Sequence, residues 1–477
     1  MRHVHAFGDD ALGDLDGVAL AEAIRTGRLA RADVIEAAIA RTEAVNPALN
    51  GLAYQAFDQA RADAATPRAG FFSGVPSFVK DNVDVTGLPT MEGTDAWVPR
   101  RAARDGEFTR LYLATGLVAL GKTQMSEYGF SASAEHPRLG PVRNPWNTDY
   151  TAGASSSGSA AFVAAGAVPI AHANDGGGSI RIPAACNGLV GLKPSRGRLP
   201  VDKDLRRMPI RLVANGVVTR SVRDTAAFHR EAERIWRQPN LPPIGDVTHP
   251  GRQRLRIAVL TRSVVRECSP EIRELTLKSA RLLEELGHRV EHVENPPVPS
   301  TFADDFVLYW ALLALGQLYI SRRRFGDTFD PTRLDNLTLG LARHARRNLH
   351  RLPVAIMRLR GVRRHTARFA KTYDAVLTPT LAEETPRIGH LDPTADYEQI
   401  MGRMREWVAF TPLHNVTGEP AISLPLAESA TGMPVGMMIS ADIGCEARLL
   451  ELAYELEEAR PWPRIQAAAD KHRGTHP

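Results

Sequence analysis

Apolar residues recur every three or four positions in "LDGVALAEAIRTG" (residues 15–27) and "ADVIEAAIARTEAVNP" (32–47). This spacing predicts helices that stop at Gly27 and at Asn46-Pro47, within a stretch, 11–65, that reads as helical throughout. The texture then changes to short apolar runs between Gly and Pro turns: "SGVPSFVKDNVDVTGLP" (73–89), "GLVALGKT" (116–123) and "AAGAVPIAHANDGGG" (164–178). Helical patterns such as "DGEFTRLYLATG" (105–116) alternate with these strands. "RLRIAVLTRS" (254–263) predicts a further strand, and "SPEIRELTLKSARLLEELGHRVEHV" a helix capped by Ser269 and then a strand. Residues 301–371 are mostly helical and irregularly patterned. "YDAVLTPT" and "EPAISLPLAESATGMPVGMMIS" return to strand and turn, and "EARLLELAYELEEA" predicts a closing helix. Strands and helices in alternation predict an α/β fold with a largely covered sheet. Because strands flank 301–371, that helical stretch reads as an insertion into one domain spanning 1–477.

Composition narrows the functional classes. A chain of 477 residues that is 43% hydrophobic and 24% charged can bury a large core. Its net charge of only +5 gives little support for nucleic-acid binding. The three cysteines, Cys186, Cys268 and Cys445, form no CxxC pair, which argues against a disulfide framework and a Cys-based zinc site and predicts a reducing cytoplasm. The N-terminal "MRHVHAFGDDALGDLDG" has no apolar core of a secretory signal. The longest apolar run, Phe306 to Ile320, contains Gln317 and is too short to span a membrane; it predicts a buried helix or a pocket wall.

Two stretches carry candidate chemistry: "GASSSGSAA" (153–161) and "DGGGSIRIP" (175–183). Acyl transfer needs a nucleophile, a base and donors aimed at the developing oxyanion. Successive glycines let backbone N–H groups converge and let a carbonyl approach closely, so Ser179 would stand beside such donors. The base is open at this point. No GxSxG elbow is present, which argues against an α/β-hydrolase triad. His172, in "PIAHAND", reads as a core or edge histidine. Lys80 closes an apolar strand, where an amine can be desolvated and neutral, or else it pairs with Asp81.

Taken in order, "GVPSFVKDNVDVTG", "LGKTQMSEYGFS", "RNPWNTDYTAGASSSGSAAFVAAG", "HANDGGGSIRIPAACNGLVGLKPSRGRLP" and "NVTGEPAISLPLAESATGMPVG" resemble the amidase signature family. The likeness runs from about residue 12 to 460 and is densest over 75–225. "GSIRIPA" and "GLKPSRGR" resemble its 6-aminohexanoate-cyclic-dimer hydrolase branch. The resemblance implies a twisted, mixed central sheet covered by helices, and hydrolysis of carboxylic amides through an acyl-serine; apolar walls without a fixed charged anchor favour neutral aliphatic or aryl amides. It implies a Ser-cisSer-Lys triad: Ser179 as nucleophile, Ser155 as bridging serine after a cis peptide bond, and Lys80 as base. Gly176, Gly177 and Gly178 would form the oxyanion hole, and Gly129 and Ser131 would line the substrate. No metal and no organic cofactor is implied. The family's Gly-Gly-Ser-Ser-Gly-Gly loop carries Ala154 and Ser157 here in place of two glycines.

Other patterns weigh less. "GLVALGKT" matches the phosphate-loop pattern, but its apolar strand lies inside the motif and a helix precedes it, the reverse of what a phosphate loop needs. Residues 343–371 hold ten Arg and Lys and no acid, and read as a solvated helix face. The expected partner is a small amide, with neither nucleic acid nor membrane, and a homodimer is allowed for. Two rival readings are the amidase subunit of a tRNA-dependent amidotransferase, and a non-catalytic binding protein using the basic face.

Overall fold

A computed structural model describes residues 3–467. Its main sheet has eight strands, in spatial order Arg289–His292, Arg256–Val259, Ala375–Pro379, Pro434–Ser440, Ala421–Glu428, Val190–Lys193, Ala214–Thr219 and Ile170–Asp175. The first three run parallel, and every later pairing is antiparallel, so the sheet is mixed. Six of these strands were legible as apolar runs; most are buried along their length, as a sheet covered on both faces requires.

A second sheet of three strands, Leu52–Gln55, Val118–Thr123 and Pro76–Lys80, lies beside the edge strand Ile170–Asp175. The seam between the sheets is made by side chains. Ser77 Oγ donates to the Ile170 carbonyl at 2.8 Å, and the Lys80 N–H donates to His172 Nδ1 at 3.2 Å. This seam brings the end of the Pro76–Lys80 strand next to the glycine loop that follows Asp175.

Two expectations for the N-terminal third are corrected. The helix Arg31–Leu49 runs through Pro47 instead of stopping there. Pro47 lies in the last turn, where its missing N–H forfeits a single bond near the helix end. Asn50, in the left-handed conformation at φ 54°, ends the helix, and Asn46 Oδ1 accepts from the N–H groups of Gly51 and Leu52. Residues 52–55, read as helical, form a strand that pairs antiparallel with Val118–Thr123. Four residues are too few for a period to show, and the pairing partner lies far along the chain.

Residues 301–371 form the helices Phe302–Phe325, Asn336–Arg347 and Leu352–Phe369, joined by short 3₁₀ turns. Part of the basic stretch folds back on the protein: Arg358 approaches Asp305, Arg360 donates to the Pro209 carbonyl, and Arg363 pairs with Glu419 and Asp442. No helix among the described residues is long and apolar enough to cross a membrane.

Candidate active site

Lys80 is the last residue of its strand and is fully buried. Its Nζ lies 2.6 Å from Ser155 Oγ and 2.6 Å from Asn174 Oδ1. Burial pushes the amine down to about 7, opposed in part by the Asp175 carboxylate. A neutral amine has two N–H groups and one lone pair. Giving one N–H to Asn174 Oδ1, which can only accept, leaves the lone pair free to face Ser155. Asp81, the first residue past the strand, is not the partner of Lys80: it pairs with Lys122 at 3.0 Å in the interior. That pair also accounts for the phosphate-loop look-alike. Lys122 is the lysine of "GKT", sits on the strand Val118–Thr123, and donates to Pro89 O and Thr90 Oγ1.

Ser155 sits in the loop before the helix Ser157–Ala164, and the Ala154–Ser155 peptide bond is cis. The two residues that depart from the family loop both have places. Ala154 is buried and lines the cleft, and Ser157 Oγ donates to the Gly153 carbonyl, fastening the loop across its own turn. Ser156 Oγ donates to the Ser179 carbonyl at 2.6 Å, tying this loop to the glycine loop. Gly129, at φ 78°, packs so near Ser155 that a Cβ there would stand 3.1 Å from Ser155 Oγ. Ser131 lines the same cleft, its Oγ accepting from the Ser133 N–H.

The glycine loop, Gly176–Ser179, is gripped at both ends. Asp175 forms a bidentate pair with Arg181, 2.9 Å on each arm, and accepts from the Ile180 N–H. Although desolvation alone would raise it, Arg181 holds the Asp175 carboxyl well below the usual carboxylate range. The segment 411–415 closes the grip. Thr411 Oγ1 donates to the Gly177 carbonyl at 2.6 Å, and Asn415 Nδ2 donates to both the Asp175 carbonyl and its Oδ1. Gly178, at φ 141°, has no room for a side chain: a Cβ would meet Thr411 Oγ1 at 2.4 Å. Among the described residues, the N–H groups of Gly176, Gly177 and Gly178 are not committed to any protein acceptor.

Ser179 opens on a cleft of about 710 Å³, counted to its open mouth. Apolar side chains wall it, among them Phe130, Ile182, Phe306, Val307, Trp310 and Met401. The apolar run beginning at Phe306 does form a pocket wall. Arg405, the charged lining residue, is held by Asp304 at 2.8 Å. His172 is no rival base: its Nδ1 takes the Lys80 N–H, and burial, then the nearby Lys80, push the ring down to about 3. Asn174, Asp175, Arg181, Thr411 and Asn415 escaped the sequence reading. Asn174 alone left a signal there, since period-two alternation puts it on the same strand face as His172.

The fold and this site define a class. Residues 33–450 match the family model described as Amidase. The chain is 76% identical over 466 residues to the AmiC protein of Mycobacterium leprae, named as an amidase, covering 98% of this chain and 99% of that one. It superposes on 6-aminohexanoate cyclic dimer hydrolase solved with substrate at a TM-score of 0.85 and 31% identity, covering 95% of this chain and 99% of the other. A bacterial aryl acylamidase of the amidase signature enzymes aligns with a TM-score of 0.83 and 27% identity over 95% of this chain and 98% of that one. This chain belongs to the Amidase family and is an amide-hydrolysing enzyme.

Proposed function

We propose that the enzyme cleaves neutral aliphatic or aryl amides through an acyl-Ser179 intermediate, with Ser155 as proton relay and Lys80 as base. The observation that carries this reading is the buried Lys80 amine, 2.6 Å from Ser155 Oγ and without a carboxylate of its own. Neutral Lys80 accepts the Ser155 proton as Ser155 accepts the proton of Ser179. Ser179 Oγ then bonds to the substrate carbonyl carbon, and the negative oxygen takes hydrogen bonds from the uncommitted N–H groups of Gly176, Gly177 and Gly178. When the C–N bond breaks, the same relay runs backwards and protonates the departing amine. Water, deprotonated by the same relay, then releases the acid. Gly129 and Ser131 line the substrate, and the apolar cleft suits an uncharged acyl group. The unpaired thiols fit a reducing cytoplasm.

The test is the Ser179→Ala variant, with mass spectrometry of wild type treated with an acylating or sulfonylating reagent. Ser179→Ala abolishes anilide hydrolysis without loss of fold, and a single adduct forms on Ser179. An adduct on another serine, or activity within about tenfold of wild type, under roughly 1.4 kcal/mol of barrier, ends the assignment.

A further inference from the structure

Beside the cleft lies a second apolar chamber of about 770 Å³, likewise counted to its open mouth. It is bounded by the strand Ala375–Pro379, the C-terminal end of the helix Leu352–Phe369 and residues 296–298. Val264, Phe302 and Ala409 line both spaces and so form the partition between them.

An aromatic track leads from one space to the other. Phe302, Phe306 and Trp310 are four residues apart on one helix and so share a face. Their rings stack in sequence, with centroids 6.2 Å and then 5.7 Å apart. Trp310 and Phe306 lie over the glycine loop: a Cβ on Gly176 would stand 3.4 Å from Trp310, and one on Gly177 3.6 Å from Phe306. The track begins over the proposed oxyanion donors and ends at the wall of the second chamber.

The second chamber is walled by side chains such as Leu260, Val298, Phe369 and Phe410. Its charged side chains are occupied by the protein: Arg262 pairs with Glu267 at 3.4 Å, and the acids are also held. Glu419 accepts from Thr417 Oγ1 and pairs with Arg363, which also holds Asp442. What remains suits an uncharged, apolar chain.

We infer that the substrate is an amide with a long apolar acyl chain, whose far end passes the Phe302 partition into this second chamber. The inference rests on the proposed acyl-Ser179 chemistry. After C–N cleavage the amine departs while the acyl group stays on Ser179 until water releases it. The acyl group therefore gains from a second apolar chamber that holds it through both steps, while the amine has only to leave by the mouth of the cleft. Each methylene taken from water multiplies binding by about fourfold.

The test measures kcat/KM on the p-nitroanilides of butanoic, octanoic and decanoic acids, with the full chain. Wild type gains at least about tenfold from butanoyl to decanoyl. Ala370 lines only the second chamber, so Ala370→Trp fills that space. The variant loses the chain-length gain and keeps butanoyl turnover within about twofold of wild type. Val298→Trp, filling the chamber from another wall, serves if Ala370→Trp does not fold. A flat or falling chain-length profile in wild type overturns the inference. So does a decanoyl advantage that survives in the folded variant, or a gain found with N-alkyl butanamides and not with the acyl series. Butanoyl turnover surviving in Ser179→Ala sinks the acyl-Ser179 reading instead, whatever the chain-length profile.

Discussion

Lys80, Lys122 and Lys193 are all buried, yet their surroundings give them different chemistry. Lys122 is paired with Asp81. Lys193 is pushed down to about 7 by burial, as Lys80 is, but its Nζ donates to the Pro194 carbonyl. Among these three, Lys80 has a serine hydroxyl at its amine, so geometry and not desolvation alone marks the base. The proposed role fixes the sign of the pH dependence. Below about 7 Lys80 is an ammonium and cannot accept the Ser155 proton; above it the amine is free. For amides, kcat/KM is expected to be level above pH 7 and to fall about tenfold per pH unit below it. Lys80→Ala loses far more activity on an amide than on an ester with the same acyl group, because only the amine leaving group must be protonated. Equal losses, or a profile flat through pH 6, would remove Lys80 from the role. The sequence left Lys80 either neutral or paired with Asp81, and the structure gives Asp81 to Lys122. For Asn174 the sequence offered only a shared strand face with His172, because its part depends on which face of a neighbouring strand meets the lysine.

At the scale of elements, the site is a short loop held rigid by its neighbours. Strand Ile170–Asp175 ends in the carboxylate that takes Arg181 from the first turn of the next helix, and the glycines between them are left with free N–H groups. Donors that keep their aim cost no reorganisation when charge develops on the substrate oxygen. Asp175→Asn leaves the buried Arg181 without its counter-charge, and such breaks cost about 3–5 kcal/mol. A lower unfolding midpoint in urea is expected. Asp175 also raises the pKa of Lys80, so its removal moves the acid limb of kcat/KM to lower pH. A limb that stays in place would show that the two groups are not coupled. The glycine run and the strand before it were plain in the sequence, because both are written in adjacent residues. The hydrogen bonds from Thr411 and Asn415 were not, because they arrive from more than two hundred residues away.

Over the whole molecule, the densest family likeness, 75–225, does not complete its own sheet. Its strand Val190–Lys193 pairs on one side with Ala421–Glu428, which pairs in turn with Pro434–Ser440. The C-terminal hairpin is thus the middle of the main sheet and joins the proposed catalytic half to the parallel strands Ala375–Pro379 and Arg256–Val259. Sequence patterning showed this hairpin as two apolar runs around "ESATG". Its central position is a matter of strand order, which period and composition do not encode. A chain ending at residue 405 keeps Lys80, Ser155 and Ser179 but loses the hairpin and the Thr411 and Asn415 bonds to the glycine loop. The strand Val190–Lys193 would then expose an unpaired edge in the middle of the molecule. Such a chain is expected to be aggregated or to lack a cooperative unfolding transition by circular dichroism, and to hydrolyse no anilide. A soluble fragment of that length with measurable turnover would show that the catalytic half folds and positions its glycine loop without the rest of the sheet.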